Sequence, residues 1–319
     1  MKTLMLVILS GAIIAIPAGA SAQNAPAATA VSFPEWAYPV NPPVAPFDTV
    51  VALTMPGSGK HYTQAQIEDD FAPPDWFPDD HPPMPAVVAN GRPSAVKACS
   101  KCHVSNGAGH PESSDLAGLS AAYIVAQMAD FKNGQRKGKR ATSMLPIANA
   151  ATDEEVREAA KYYAALPRPA WTKVVEAATV PKSELRIGGM RFANDAGSEP
   201  IDNRIIELPQ APERAHMRDS RIGFAAYVPV GSVARGEALV KGGDGKTMAC
   251  GSCHGADLKG IGDVPHLRGR SPMYFFRQLN DLKAGTRSGS NAVPMQPVVS
   301  NMSQDEMLAI AAYLATLAP

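Results

Sequence analysis

Apolar positions recur at helical spacing in four stretches of this chain. Residues 120–132 and 271–283 hold two of them. In the second, Tyr274, Phe275, Leu279 and Leu282 share a face, and Gly285 follows as a stop signal. The other two open on a capping box, Thr152 with Glu155 and Ser303 with Glu306. Their apolar faces, Val156, Ala160 and Tyr163 in one and Met307, Ile310 and Leu314 in the other, are expected to point inward. Arg235–Lys241 reads as a further short helix. The period changes between residues 168 and 230, where Arg204–Leu208 and Gly223–Val228 read as strands. This stretch is too long for a simple loop and too rich in Ile, Phe and Tyr for a flexible tether. It is expected to be ordered, with a small hairpin near a domain junction. Residues 23–85 follow neither period. Their runs Pro73–Pro78 and His81–Pro83 predict an extended arm packed over the rest, with a helical turn or two at Gln64–Phe71. A docking arm for a specific partner is the alternative.

The chain begins with Lys2, an apolar run from Leu4 to Ile16 and the small-residue sequence Ala20-Ser21-Ala22. This is the pattern of a cleaved secretory signal, residues 1–22, with an uncleaved anchor as the alternative. The run is too short to span a bilayer comfortably, and no later segment approaches that length. The mature chain is therefore expected in an exported, oxidising compartment, without a transmembrane span.

Basic and acidic residues balance at 30 each, which gives no reason to expect nucleic acid as a partner. The distribution is uneven. Residues 23–85 contain one lysine and eight acidic residues, a net of −7. Residues 86–167 and 231–319 carry +3 and +2.

The only cysteines, Cys99, Cys102, Cys250 and Cys253, form two C-x-x-C-H motifs that end on His103 and His254. That spacing lets two thiols meet the two vinyl groups of one porphyrin and sets an imidazole beneath the iron. A redox dithiol needs no trailing histidine. A shared zinc site would draw two C-x-x-C pairs much closer than the 151 residues that separate these. Two covalent haem c groups are the expectation.

Laying the chain over itself at an offset of 151 without gaps extends the match well beyond the motifs. Leu116 falls on Leu267, Gly118 on Gly269, Tyr123 on Tyr274, Gln127 on Gln278, Asp130 on Asp281 and Arg136 on Arg287. Two domains of one kind explain this, at residues 86–167 and 231–319. The same register pairs Met144 with Met295, each 41 residues after its motif histidine. A thioether is a soft ligand suited to haem iron, and both methionines sit in proline-flanked, loop-like sequence. They are the expected sixth ligands. Met128, Met273 and Met302 lack a methionine partner in the register and read as core. His110 and His266 have no histidine partner and read as ordinary loop residues.

The second motif, the run Pro265-His266-Leu267-Arg268-Gly269, the helix Tyr274–Lys283, its Gly285-Thr286-Arg287 end and the Met295 strap resemble a class I cytochrome c domain. Two in tandem are similar to the dihaem cytochromes of the c-four type, and the resemblance covers about half the chain. It implies a mainly α fold of short helices around each haem, His/Met axial ligation and periplasmic electron transfer between redox protein partners. In that family the proline after the motif offers its carbonyl to the proximal histidine. Pro265 matches, whereas Ser114 stands there in the first copy, which puts the equivalence of the two haems in doubt. Two closed iron sites favour an electron carrier. A haem-containing, electron-accepting subunit of a periplasmic or membrane-bound dehydrogenase or oxidase is the alternative, and a dihaem peroxidase-like enzyme is a more distant one.

Overall fold

Short, capped segments dominate the architecture, because few stretches are apolar enough to build a longer element. The computed structural model describes Val31, residues 33–43, 48–242, Gly245 and 247–319. The segment read as a secretory signal lies outside them. Ser32–Pro319 form one compact unit. No helix among the described residues is long and apolar enough to cross a membrane.

The arm opens with β1 (Ala52–Thr54) paired antiparallel to β2 (His61–Thr63). A single capped turn follows, α1 (Gln64–Ile67), where Thr63 and Gln66 form a reciprocal box. The arm packs closely, as expected. Met55, Ile67, Trp76 and Phe77 are all buried together beside Met217. Upstream, Tyr38 and Ala37 enter the core of the second copy, and Trp36 lies 4.6 Å from the ring of Phe276.

The first copy comprises α2 (Ala86–Ala89), α3 (Ser100–His103), α4 (Ala121–Lys132), α5 (Met144–Ala150) and α6 (Asp153–Ala164). Its core centres on Val88, Leu119, Ala160 and Tyr163. The connector then lays down β3 (Thr172–Glu176), β4 (Thr179–Leu185), β5 (Arg191–Pro200), β6 (Ile206–Pro209), α7 (Pro212–His216) and β7 (Phe224–Val228). β7 is the central strand of a three-stranded sheet, parallel to β3 and antiparallel to β6. Phe224, Ala226 and Val228 are buried along it, at the period-two spacing of a half-buried strand. The two stretches read as strands are β6 and β7, whereas the hairpin forms elsewhere, from β4 and β5, with a register shift between Pro181 and Ser183, where proline has no N–H to donate.

The second copy comprises α8 (Ser232–Gly242), α9 (Gly251–His254), α10 (Pro272–Lys283), α11 (Gln296–Val299) and α12 (Gln304–Thr316). Both capping boxes form, and Met307, Ile310 and Leu314 face inward. α8 crosses α12 at Gly236, so closely that a Cβ there would lie 2.8 Å from Cβ of Tyr313 and nearer still to the Ala309 carbonyl. The first copy has no equal: its leading helix is α2, a single turn.

The repeat is visible as a pseudo-two-fold junction. Arg136 and its counterpart Arg287 form an antiparallel bridge with each other. Lys137 N donates to Thr286 O at 2.8 Å, and Ser288 N donates to Gln135 O at 2.7 Å. The side chains obey the same symmetry. Arg136 reaches Gln127 of its own copy and Gln278 of the other, both at 3.0 Å; Arg287 reaches Gln278 and Gln127, both at 3.1 Å. Other contacts break the symmetry, among them a buried ion pair. Arg270 donates from Nε to Asp115 Oδ1 at 2.7 Å and from Nη2 to Ser114 Oγ at 2.8 Å, with both members of the pair buried. Asp115→Ala leaves that guanidinium buried and unpaired, and should cost about 3–5 kcal/mol in a denaturant titration of the holoprotein.

Glu207 on β6 sits at the start of α10. It accepts from Ser271 Oγ at 2.7 Å and from Met273 N at 2.9 Å. Burial outweighs these bonds and pushes its carboxyl up to about 7. A raised acid stabilises the fold fully below the unfolded value of 4.5, and that stability is lost as pH rises towards 7. The loss amounts to roughly 3 kcal/mol. Glu207→Gln keeps an acceptor but cannot ionise, so its unfolding free energy should lack this fall between pH 5 and 8.

Candidate haem sites

Each C-x-x-C-H motif folds into one helical turn, α3 or α9, with the first cysteine as its N-cap. The turn carries its histidine inward. His103 Nδ1 donates to Ser114 O at 2.7 Å, and His254 Nδ1 donates to Pro265 O at 2.7 Å. A carbonyl only accepts, so Nδ1 holds the proton and Nε2 keeps its lone pair. Burial pulls both imidazoles below their ordinary value, and the carbonyl bonds only partly oppose it. Two neutral, oriented imidazoles result, as an iron ligand requires. The equal bond lengths mean that Ser114 holds its histidine as well as Pro265 does. What distinguishes Ser114 is its hydroxyl, which meets Arg270 across the junction.

None of the four cysteines is paired in a disulfide. Burial pushes Cys99 up to about 12 and Cys250 up to about 11. A redox dithiol needs the opposite shift, towards thiolate. No group of three or more His, Cys, Asp or Glu that could hold a metal ion occurs among the described residues. The spacing of each pair on one helical turn suits covalent porphyrin attachment.

The structure places the two methionines differently from the loops that their sequence suggests. Met144 opens α5, and Met295 closes a 3-10 turn at Ser290–Met295 just before α11. Pro146 and Pro297 fall in the first turns of α5 and α11, where a missing N–H costs nothing. Met295 packs on the second copy's core together with Cys250. Met144 lies with Phe131, Ala141 and Ala148, in a cluster that meets the first core through Met128. Met273 and Met302 are core residues, each 3% exposed.

His110 is half-buried in a bridge with Ser113 that Ile261 and Val264 repeat in the second copy. His266 departs from its reading as an ordinary loop residue. It is buried at the junction, and desolvation, reinforced by Arg270 and Arg168, keeps it neutral.

The junction residues themselves escaped a functional reading, although the self-alignment matched Tyr123, Gln127 and Arg136 with Tyr274, Gln278 and Arg287. Burial opposes ionisation of Tyr274, yet Arg136, Arg270 and Arg287 together pull its phenol well below the ordinary value. Arg287 Nε is buried without a hydrogen-bond partner. Such a site favours negative charge, and haem carries two propionate carboxylates. Thiols, histidine tautomers and junction charge therefore all fit the group that the motifs imply.

Comparison with known proteins agrees. The cytochrome c family profile matches residues 233–318. The thiosulfate dehydrogenase electron acceptor of Stutzerimonas stutzeri is 30% identical over 234 residues, covering 71% of this chain and 82% of that protein. This chain belongs to the cytochrome c4 family. Cytochrome c4 of Pseudomonas aeruginosa is 25% identical over 234 residues, covering 71% of this chain and 87% of that one. Among solved structures, thiosulfate dehydrogenase TsdBA from Marichromatium purpuratum superposes with a TM-score of 0.50 at 26% identity, over 73% of this chain. The match spans 39% of that longer chain. As a c4-type cytochrome the chain is a haem protein of electron transfer. The profile matches only the second copy, the one with a full-length leading helix.

Proposed function

We propose that this cytochrome carries two covalent haem c groups and passes single electrons between protein partners in the periplasm after removal of residues 1–22. Residues 86–167 form the first haem domain, and Cys99 and Cys102 bind its haem, with His103 and Met144 as axial ligands. Residues 231–319 form the second, with Cys250 and Cys253, and His254 and Met295. Residues 23–85 and 168–230 are added cover. The observation that carries this reading is the pair of Nδ1–carbonyl bonds, which leaves one imidazole nitrogen free in each copy. Haem c supplies a reversible one-electron iron couple. The chain's own part is to hold it covalently, fix the imidazole and exclude water with the core around it.

A dehydrogenase is the donor that the relatives favour, since two of them bear the name thiosulfate dehydrogenase electron acceptor. Purified holoprotein should show two haems per chain and a low-spin reduced spectrum. It should be reduced by thiosulfate only when a thiosulfate dehydrogenase is present. A high-spin population or rapid carbon monoxide binding at neutral pH would overturn the closed-site reading.

A further inference from the structure

The two attachment helices are equivalent in sequence register, but their surroundings differ. Over α3 the arm and connector close. Ser100 and Lys101 are 8% and 5% exposed. Lys101 Nζ donates to Ile67 O at 3.2 Å and pairs with Glu68 at 2.8 Å. Arg218 pairs with the same carboxylate and donates to Lys101 O at 2.8 Å. Trp76 Nε1 donates to Met217 O, and Asn106 donates to Ser220 O, both at 2.6 Å, joining the two covering segments to each other and to the first copy.

Among the described residues nothing comparable lies over α9. Ser252 and Cys253 are exposed. Beside the exposed Asp257, Lys259 and Asp263, apolar residues near the motif and the Met295 strap are open: Met248 is 56%, Ile261 60% and Val293 57% exposed. At the corresponding positions 151 residues earlier stand Lys97, His110 and Thr142. One fold thus presents an apolar rim only in the copy whose attachment helix is uncovered. The molecule contains its own control, because core packing would require the apolar side chains in both copies or in neither. Charges of both signs lie nearby, and Asp263 accepts from Ser120 Oγ at 2.8 Å. Lys259 lies 3.9 Å from Asp257, and Lys241 lies 2.6 Å from Glu237.

We propose that the face around α9 is the docking surface for a redox protein that presents an apolar, near-neutral rim around its own metal centre, and that the covered α3 face takes no such partner. The match is one of apolar area with little net charge, so association should depend only weakly on salt. One electron crosses at this face. A reduced partner is oxidised by one and the chain reduced by one, and electrons bound for the first copy arrive through the second. The inference rests on the reading that both copies hold haem.

Reduced azurin, a small blue-copper protein, serves as the probe. Its oxidation by the full two-haem holoprotein is followed by stopped flow, and amide exchange is mapped in the oxidised mixture. Met248→Glu and Val293→Glu should each slow the bimolecular step about fivefold or more, whereas Thr142→Glu, the counterpart of Val293→Glu, should change it less than twofold. Protection should fall on residues 247–254 and 293–298. Equal slowing by Thr142→Glu, or protection over residues 97–103, overturns the inference while leaving the carrier reading intact. A holoprotein with fewer than two low-spin haems removes the carrier reading and the inference with it.

Discussion

Gly236→Ala should destabilise the second copy by about 3 kcal/mol or more, since overpacking at a backbone–backbone contact has no rotamer through which to relax. The glycine lies where α8 crosses α12, and the atom that meets the new methyl is the Ala309 carbonyl. The α12 backbone is pinned there by its own hydrogen bonds, and Ala309, Ile310 and Ala312 are all buried. The helices must move apart, which strips contact from Leu239 and Val240 on one side and from the buried row of α12 on the other. Gly242→Ala is the control. It lies in the same helix with nothing within 4 Å of the new Cβ, so it should be neutral or mildly stabilising. Denaturant unfolding of holoprotein, with separate probes for the two copies, measures both. Comparable losses from the two variants would mean that the crossing at Gly236 does not set the stability.

Met295→Ala should open the sixth position of the second haem and lower its potential on the order of 100 mV, well inside the span of roughly 0.8 V that axial ligands control. The proposed ligand packs on the second core, so its removal also leaves a cavity. Met144→Ala should do the same to the first haem. Met144 packs in a small cluster with Phe131, Ala141 and Ala148, so collapse around the gap should be easier there. The readouts are a potentiometric titration and the appearance of a high-spin, carbon monoxide-binding haem confined to one copy. A variant that keeps both haems low-spin at unchanged potentials would remove its methionine from the ligand set.

Much of the molecule was legible because its information is local or repeated. The capping boxes at Thr152 and Ser303, the α4 and α10 patterns and the C-x-x-C-H turns are each specified within a few residues. The 151-residue register then matched Gln127 and Arg136 with Gln278 and Arg287. The match told that these residues recur, but not that each would reach across to the other copy. That requires the two-fold geometry, which no single stretch encodes. Long-range choices were hidden for the same reason. The parallel pairing of β3 with β7 depends on both strands at once. The entry of Ala37 and Tyr38 into a core more than 200 residues away depends on Phe276, Arg277 and Asn280. His266 looked like a loop residue because its burial comes from the junction, not from its neighbours in sequence.

The cover over α3 also orders events in time. Part of it, at Met217–Ser220, is synthesised long after Cys99 and Cys102. During that interval Ser100 and Lys101 lack the cover that buries them in the finished protein. On the proposed function, haem attachment to the first motif competes with closure of Glu68, Lys101 and Arg218 over it. The second motif faces no such deadline. A cell short of haem should accumulate chains that lack the first group more often than chains that lack the second.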